Sequence, residues 1–322
     1  MSDQQPVRPT PPTAASAYSV PIPSNDDSTP LAAAAEEHVS LLHRAAAVSR
    51  FERPLNTRVF VVANQKGGVG KTTTTVNVAA ALALKGLRVL VVDLDPQGNA
   101  STALNVPHAE GTPGVYEAIV EGTQLDDLVQ PCPDIDGLTV LPASIDLAGA
   151  EIELVSLVAR ESRLDRALQT YLKARADAGD RIDYVLIDCP PSLGLLTVNA
   201  MVAGREVLIP IQCEYYALEG LGQLIRNIDL IRAHLNPKLE ITTILLTMYD
   251  GRTRLSAGVA QEVRSHFAEK VITTPIPRSV RISEAPSYQQ SVITYDGTSS
   301  GALSYLEAAR EIALAGSRGA TT

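Results

Sequence analysis

Tryptophan is missing from the 322 residues, phenylalanine occurs three times, and aromatic residues make up only 4% of the chain. With so few rings and a 45% hydrophobic fraction rich in Ala, Val, Leu and Ile, helices on a parallel sheet fit better than an all-β sandwich. Cysteine is scarce too. Cys132, Cys189 and Cys213 form no CxxC pair, which argues against a disulfide framework or structural zinc site and implies a reducing, cytosolic setting. No apolar run approaches the roughly 18 residues that a membrane span needs. The N-terminus lacks the basic-then-apolar order of a signal peptide, so a soluble cytoplasmic protein is expected. Positive charge is also in deficit, with 27 Lys and Arg against 36 Asp and Glu and a net charge of −9. That argues only weakly against nucleic acid, because a total hides local patches. Residues 225–290 carry nine basic and six acidic side chains and reverse the overall sign.

What is present is organised in two parts. Residues 1–30 hold seven of the 21 prolines and few large apolar groups, a composition that cannot offset its ordering entropy and reads as disordered. Residues 31–50 turn to Ala, Leu, Glu and Arg and read as a short helical extension. From residue 51 to 322 the length suits one large α/β core, and neither repeats nor a second core pattern appears. Apolar runs at 59–63, 89–92, 138–141, 184–187, 207–211 and 241–246 read as strands covered on both faces. Helical stretches are expected at 71–85, 147–178, 217–234 and 256–268, with Gly86 as a helix stop. This alternation predicts a doubly wound, mostly parallel sheet flanked by helices.

The strongest local signal is Lys66-Gly67-Gly68-Val69-Gly70-Lys71-Thr72-Thr73 between a strand and a helix. Phosphate oxygens need several converging N–H donors; glycines let the backbone wrap closely, and the helix N-terminus adds partial positive charge. Lys71 would meet the β/γ-phosphates, and the Thr72 hydroxyl suits Mg²⁺. The usual pattern places glycine where this chain has Gln65, and a second lysine, Lys66, stands inside the loop. Lys66 is either a solvated charge or a residue that reaches a nucleotide across a dimer interface, as an arginine finger acts in trans.

Two apolar strands end in acids. Asp93 and Asp95 stand at i and i+2 after one of them, so both could face the nucleotide, one toward Mg²⁺ and one toward the attacking water. The ordinary carboxyl pKa of about 3.9 suits Asp95 to positioning water better than to strong base chemistry. Asp188 ends the other strand and suits the metal. Taken singly, each acid could equally be a turn residue or a helix cap. Cys189 reads as a buried strand-end residue, since no histidine lies near it in sequence.

The loop, with DLDPQGN, IDCPPSLGLLTVNA, QCEYYALEGL, LTMYDGRT and IPRSVRISEAPS, resembles the ParA/Soj-type chromosome- and plasmid-partitioning ATPases. These form the deviant Walker A branch of the P-loop proteins, and the resemblance runs from about Val59 to the C-terminal helix. It implies ATP and Mg²⁺ as cofactors, an ATP-dependent sandwich homodimer, and non-specific binding of double-stranded DNA. It further implies stimulation by a ParB-type centromere-binding partner and association with the nucleoid. By the same resemblance Lys66 contacts the partner subunit's nucleotide, Lys71 and Thr72 bind phosphate and Mg²⁺, and Asp95 serves hydrolysis. Arg252 and Arg281, with Arg278 beside them, would meet DNA, and Met248 and Pro277 would meet adenine.

Three other readings share the loop. A MinD-like positioning ATPase would end in an amphipathic membrane helix, and the C-terminus here lacks the bulky apolar face that insertion requires. Iron–sulfur carriers need well-placed cysteines that are absent. A P-loop small-molecule kinase or synthetase is the alternative from another class, to be separated by an ATPase assay with and without DNA.

Overall fold

The computed structural model describes residues 39–41, 49–215 and 217–317. The expected disorder over 1–30 and most of the expected helix over 31–50 lie outside the described residues; 39–41 are helical. Seven strands form one sheet: β1 (Arg58–Val62), β2 (Val89–Asp93), β3 (Gln130–Pro131), β4 (Leu138–Leu141), β5 (Tyr184–Asp188), β6 (Glu206–Gln212) and β7 (Glu240–Thr247). Their order is β3-β4-β2-β5-β1-β6-β7, and every pairing is parallel except that of β3 with β4. The doubly wound sheet expected from the alternation is therefore the observed one. The two-residue β3 was not legible in the sequence. Its Pro131 gives the edge no N–H to offer there, which blunts it against further pairing.

Period two explains why the strands read as unbroken apolar runs. Val59, Val61, Leu90, Val92, Val185 and Ile187 face one core, while Phe60, Val62, Val89, Val91, Tyr184 and Leu186 face the other. Each face is buried against helices, so neither set of alternating positions can be polar. On one side lies α1 (Lys71–Leu84), whose small residues from Ala79 to Ala83 are buried almost all round. It ends as the sequence indicated: Gly86 N–H bonds Ala83 O at 2.8 Å and Leu87 N–H bonds Leu82 O at 3.2 Å, the paired bonds of a Schellman stop. After the one-turn α2 (Asn99–Ala103), the expected helix over 147–178 is two helices, α3 (Leu147–Leu154) and α4 (Arg163–Asp177). The break contains Ala159 in the left-handed region at φ 54°. Buried Asn199, on α5 (Leu195–Ala203), stabilises it: its amide donates to Arg160 O at 2.8 Å and its oxygen accepts from Leu164 N at 3.2 Å. Side-chain bonds thus replace the helix bonds that are lost.

The remaining long helices are α6 (Ala217–His234), α7 (Arg254–Phe267) and, after the short α8 (Val280–Glu284) and α9 (Val292–Tyr295), α10 (Ser300–Ser317). Arg58 ties α10 to the sheet by donating to Ile312 O and Glu206 while lying over the Phe60 ring. No helix among the described residues is long and apolar enough to cross a membrane.

Candidate nucleotide site

The strand order decides where the chemistry gathers. With β5 between β2 and β1, Asp188 lies in register with both Asp93 and Val62, so three strand ends open onto one edge. Three residues, Ala63 to Gln65, separate the end of β1 from the glycine-rich loop. Its last glycine, Gly70, caps α1 at φ 89°, a conformation that costs a Cβ-bearing residue strain. Asn64 fixes the loop's entry, accepting from Lys66 N at 3.0 Å and donating to Pro210 O at 2.9 Å. Thr247, at the end of β7, fixes its far side through a 2.8 Å bond to Val69 O.

The two loop lysines stand apart in role. Lys71 is 7% exposed and its ammonium turns back into the loop, 3.3 Å from Lys66 O. Burial lowers its pKa, while the charges of Asp188 and Asp95 oppose that shift. The Lys66 side chain turns outward and is paired with Glu214, beyond the end of β6. Glu214 lies within the QCEYYALEGL motif, but only the three-dimensional meeting of two loops shows its pairing with Lys66.

Among the acids, Asp188 is fully buried. One oxygen accepts from Thr75 Oγ1 at 3.1 Å, and Oδ2 has no hydrogen-bond partner. Burial, then the neighbouring charge of Asp93, pushes its pKa up against the hydroxyls of Thr72 and Thr75. An orphaned buried carboxylate oxygen beside a Thr hydroxyl is a fit for a hard cation such as Mg²⁺, which takes one or two protein oxygens and completes its shell with water and phosphate. No cluster of three or more His, Cys, Asp or Glu capable of holding a metal occurs among the described residues. Asp93, expected to share the metal, is turned elsewhere. Oδ2 accepts from Ser101 N at 2.8 Å and Ser101 Oγ at 2.7 Å, and Oδ1 faces Asp95 N at 3.3 Å. These bonds make Asp93 the inner anchor of the turn that carries Asp95. Cys189 is buried and its thiol is pushed well up by desolvation, so it offers no thiolate.

Met248 and Pro277, distant in sequence, come close together. Tyr249 pairs with Pro277 in a parallel bridge, and Met248, in the left-handed region at φ 51°, directly follows the Thr247 that holds the phosphate loop. The same bridge brings Arg252 and Arg278 to neighbouring loops: Arg278 N bonds Tyr249 O at 3.1 Å, and Arg252 forks onto Asp250 with two 2.9 Å bonds. Arg281 pairs with Glu284 at 3.2 Å and Asp296 at 3.3 Å. A cleft of about 280 Å³ opens beside Thr72 and Thr73, walled by Asn99, Thr102 and Pro286. A second cavity of about 310 Å³ lies away from these groups, between α4 and the 122–126 turn.

With a cation held at Asp188, metal binding would depend on pH. Burial raises the pKa of both Asp93 and Asp188 above the unfolded value. In metal-free protein, their contribution to stability is therefore present below about pH 4 and is lost as pH rises through the raised values. A cation at Asp188 favours the ionised form and displaces a proton, so Mg²⁺ should bind more tightly as pH rises between about 6 and 8. Calorimetric Mg²⁺ titrations in the presence of ADP at several pH values check this. An Mg²⁺ affinity independent of pH over that interval rules the linkage out.

A buried lysine beneath a glycine loop, with acids from adjacent strand ends, defines a P-loop nucleotide-hydrolysing α/β protein. Residues 57–241 match the family model described as an AAA domain. The chain is 50% identical over 259 residues to the sporulation initiation inhibitor protein Soj of Bacillus subtilis, covering 80% of this chain and 99% of that one. It is 49% identical over 256 residues to the chromosome partitioning protein ParA of Caulobacter vibrioides, covering 79% and 93%. The chain belongs to the ParA/Soj family of partitioning ATPases. Solved structures that it resembles include a cobyrinic acid a,c-diamide synthase from Mycobacterium smegmatis with a bound ATP analogue and magnesium. That match has 40% identity and a TM-score of 0.65, and covers 80% of this chain and 93% of that one. Another is the septum site-determining protein MinD of Pyrococcus horikoshii with Mg-ADP, at 26% identity and a TM-score of 0.63, covering 80% and 96%.

Proposed function

We propose that this protein is a DNA-segregation ATPase: two copies close on two Mg²⁺·ATP, the dimer holds DNA without sequence preference, and hydrolysis lets it go. In this reading Lys71, Thr72, Thr73 and the N–H groups of Gly67 to Gly70 hold the triphosphate, and Thr72 and Asp188 hold the cation. Bound Mg²⁺ supplies charge neutralisation at the β- and γ-oxygens. Asp95 orients water, Met248 and Pro277 flank adenine, and a ParB-type centromere-binding partner accelerates turnover on the nucleoid.

The observation that carries this reading is the division between the two lysines. One triphosphate needs one buried ammonium from its own subunit, and Lys71 supplies it. Lys66 faces outward against Glu214, where it is free to exchange a carboxylate for a phosphate of a second copy. The neighbour that is a diamide synthase offers amide synthesis as the other chemistry. Against it stand the higher identity to partitioning proteins and the basic stretch around Arg252 and Arg281. Sedimentation of Asp95→Ala, which should bind ATP without turning it over, decides the dimer: dimers with ATP and monomers with ADP are expected. Monomers under both conditions would remove the role given to Lys66.

A further inference from the structure

Asp95 sits on a tight turn that leads straight into a one-turn helix. Gly98 N–H bonds Asp95 O at 2.9 Å, Gln97 N–H bonds Asp95 Oδ1 at 3.0 Å, and the helix that follows, α2, has only five residues. A helix of one turn has almost no stability of its own and takes its order from what packs on it. From inside, Asp93 grips Ser101. From outside, the grip is His108. Gly98 is left-handed at φ 62°, and a Cβ built on it would lie 2.7 Å from His108 Cδ2, so the ring fills the space a side chain would need. Thr102 directs both its N–H, at 2.9 Å, and its hydroxyl, at 3.0 Å, to Gly98 O. His108 closes the circuit with Nε2 3.0 Å from that hydroxyl and Nδ1 2.9 Å from Val106 O. A carbonyl only accepts, so Nδ1 carries a proton and the ring orientation is fixed. With that proton on Nδ1, Nε2 accepts from the Thr102 hydroxyl, whose single proton it shares with Gly98 O.

We propose that His108 is a positioning residue for hydrolysis: it clamps Gly98 against Thr102 and so holds the Asp95 carboxylate where it orients water, without touching the nucleotide. The inference rests on the reading of Asp95 as the hydrolytic acid. Its test is single-turnover ATP hydrolysis at saturating ATP by the full chain, with ATP affinity and melting temperature measured on each variant. His108→Ala should slow the single-turnover rate about tenfold or more, since small misplacement of a catalytic group is costly. ATP affinity should stay within about twofold, the mark of an interaction felt after binding. His108→Gln, whose amide can still reach the Thr102 hydroxyl, should recover most of the loss. Thr102→Val should slow hydrolysis similarly, and the double variant should be no slower than the worse single one, as for residues acting through one contact. A His108→Ala rate within about twofold of wild type overturns the proposal, and so do additive single effects or a loss that follows ATP affinity or folded fraction. Hydrolysis that survives Asp95→Ala overturns instead the reading of Asp95 on which the proposal stands.

Discussion

Alanine at Lys71 should weaken Mg²⁺·ATP binding about thirty- to a thousandfold, whereas alanine at Lys66 should leave it within about twofold and abolish the ATP-dependent dimer. The contrast follows from burial. Lys71 is almost fully removed from water and surrounded by groups that favour its charge, chiefly Asp188. Deleting it takes from the triphosphate the one buried ammonium that its own subunit supplies. Truncating one partner of a desolvated charge pair costs about 2–4 kcal/mol, and about 1.4 kcal/mol is tenfold in affinity. Lys66 keeps its side chain about a third exposed and already has a carboxylate partner in Glu214. Its removal therefore costs the subunit's own site little. Equilibrium binding of a fluorescent ATP analogue, with sedimentation on the same samples, separates the two effects. Equal losses of binding for both variants would mean that Lys66 serves its own subunit's nucleotide.

Much of this site was legible because it depends on local order. The phosphate loop needs glycines, a lysine and a threonine in sequence between a strand and a helix, and β2 and β5 each end in the acid that their runs announced. The helix from 217 to 234 and the stop at Gly86 followed from composition and capping for the same reason. What the sequence concealed depends on groups meeting across the fold. The break between α3 and α4 has neither proline nor glycine to mark it; it exists because Asn199, far along the chain, supplies the missing hydrogen bonds. Asp93 reads like a metal acid until Ser101 is seen to occupy it. His108 carries no local pattern at all, and the QCEYYALEGL motif alone gives Glu214 no role, since each matters only for the loop it lands on.

Replacing both Arg252 and Arg281 with alanine should lower the affinity of the ATP-bound protein for duplex DNA about a hundred- to a thousandfold, leaving ATP binding and dimerisation intact. The chain as a whole is acidic at −9, so a single copy has little net attraction for phosphate, and the basic stretch must do the work. In the proposed dimer, pairing two copies would present both stretches to one duplex, and the gain would be avidity. Both arginines are engaged within their own chain, Arg252 with Asp250 and Arg281 with Glu284 and Asp296, but in exposed settings. Exposed ion pairs contribute at most about 1 kcal/mol, so exchanging a carboxylate for a phosphate is cheap. Proton uptake does not control the exchange at Asp250: the Arg252 guanidinium lowers its pKa to about 2, which keeps it charged at working pH. Each phosphate neutralised adds a log–log salt slope of about −0.9. Losing two arginines from each of two subunits should therefore flatten the slope by about three to four units, whatever the DNA sequence. Binding isotherms across a salt series, on two unrelated duplexes, test this directly. A double variant that holds DNA as wild type does, with the same slope, would place the DNA-binding face elsewhere on the molecule.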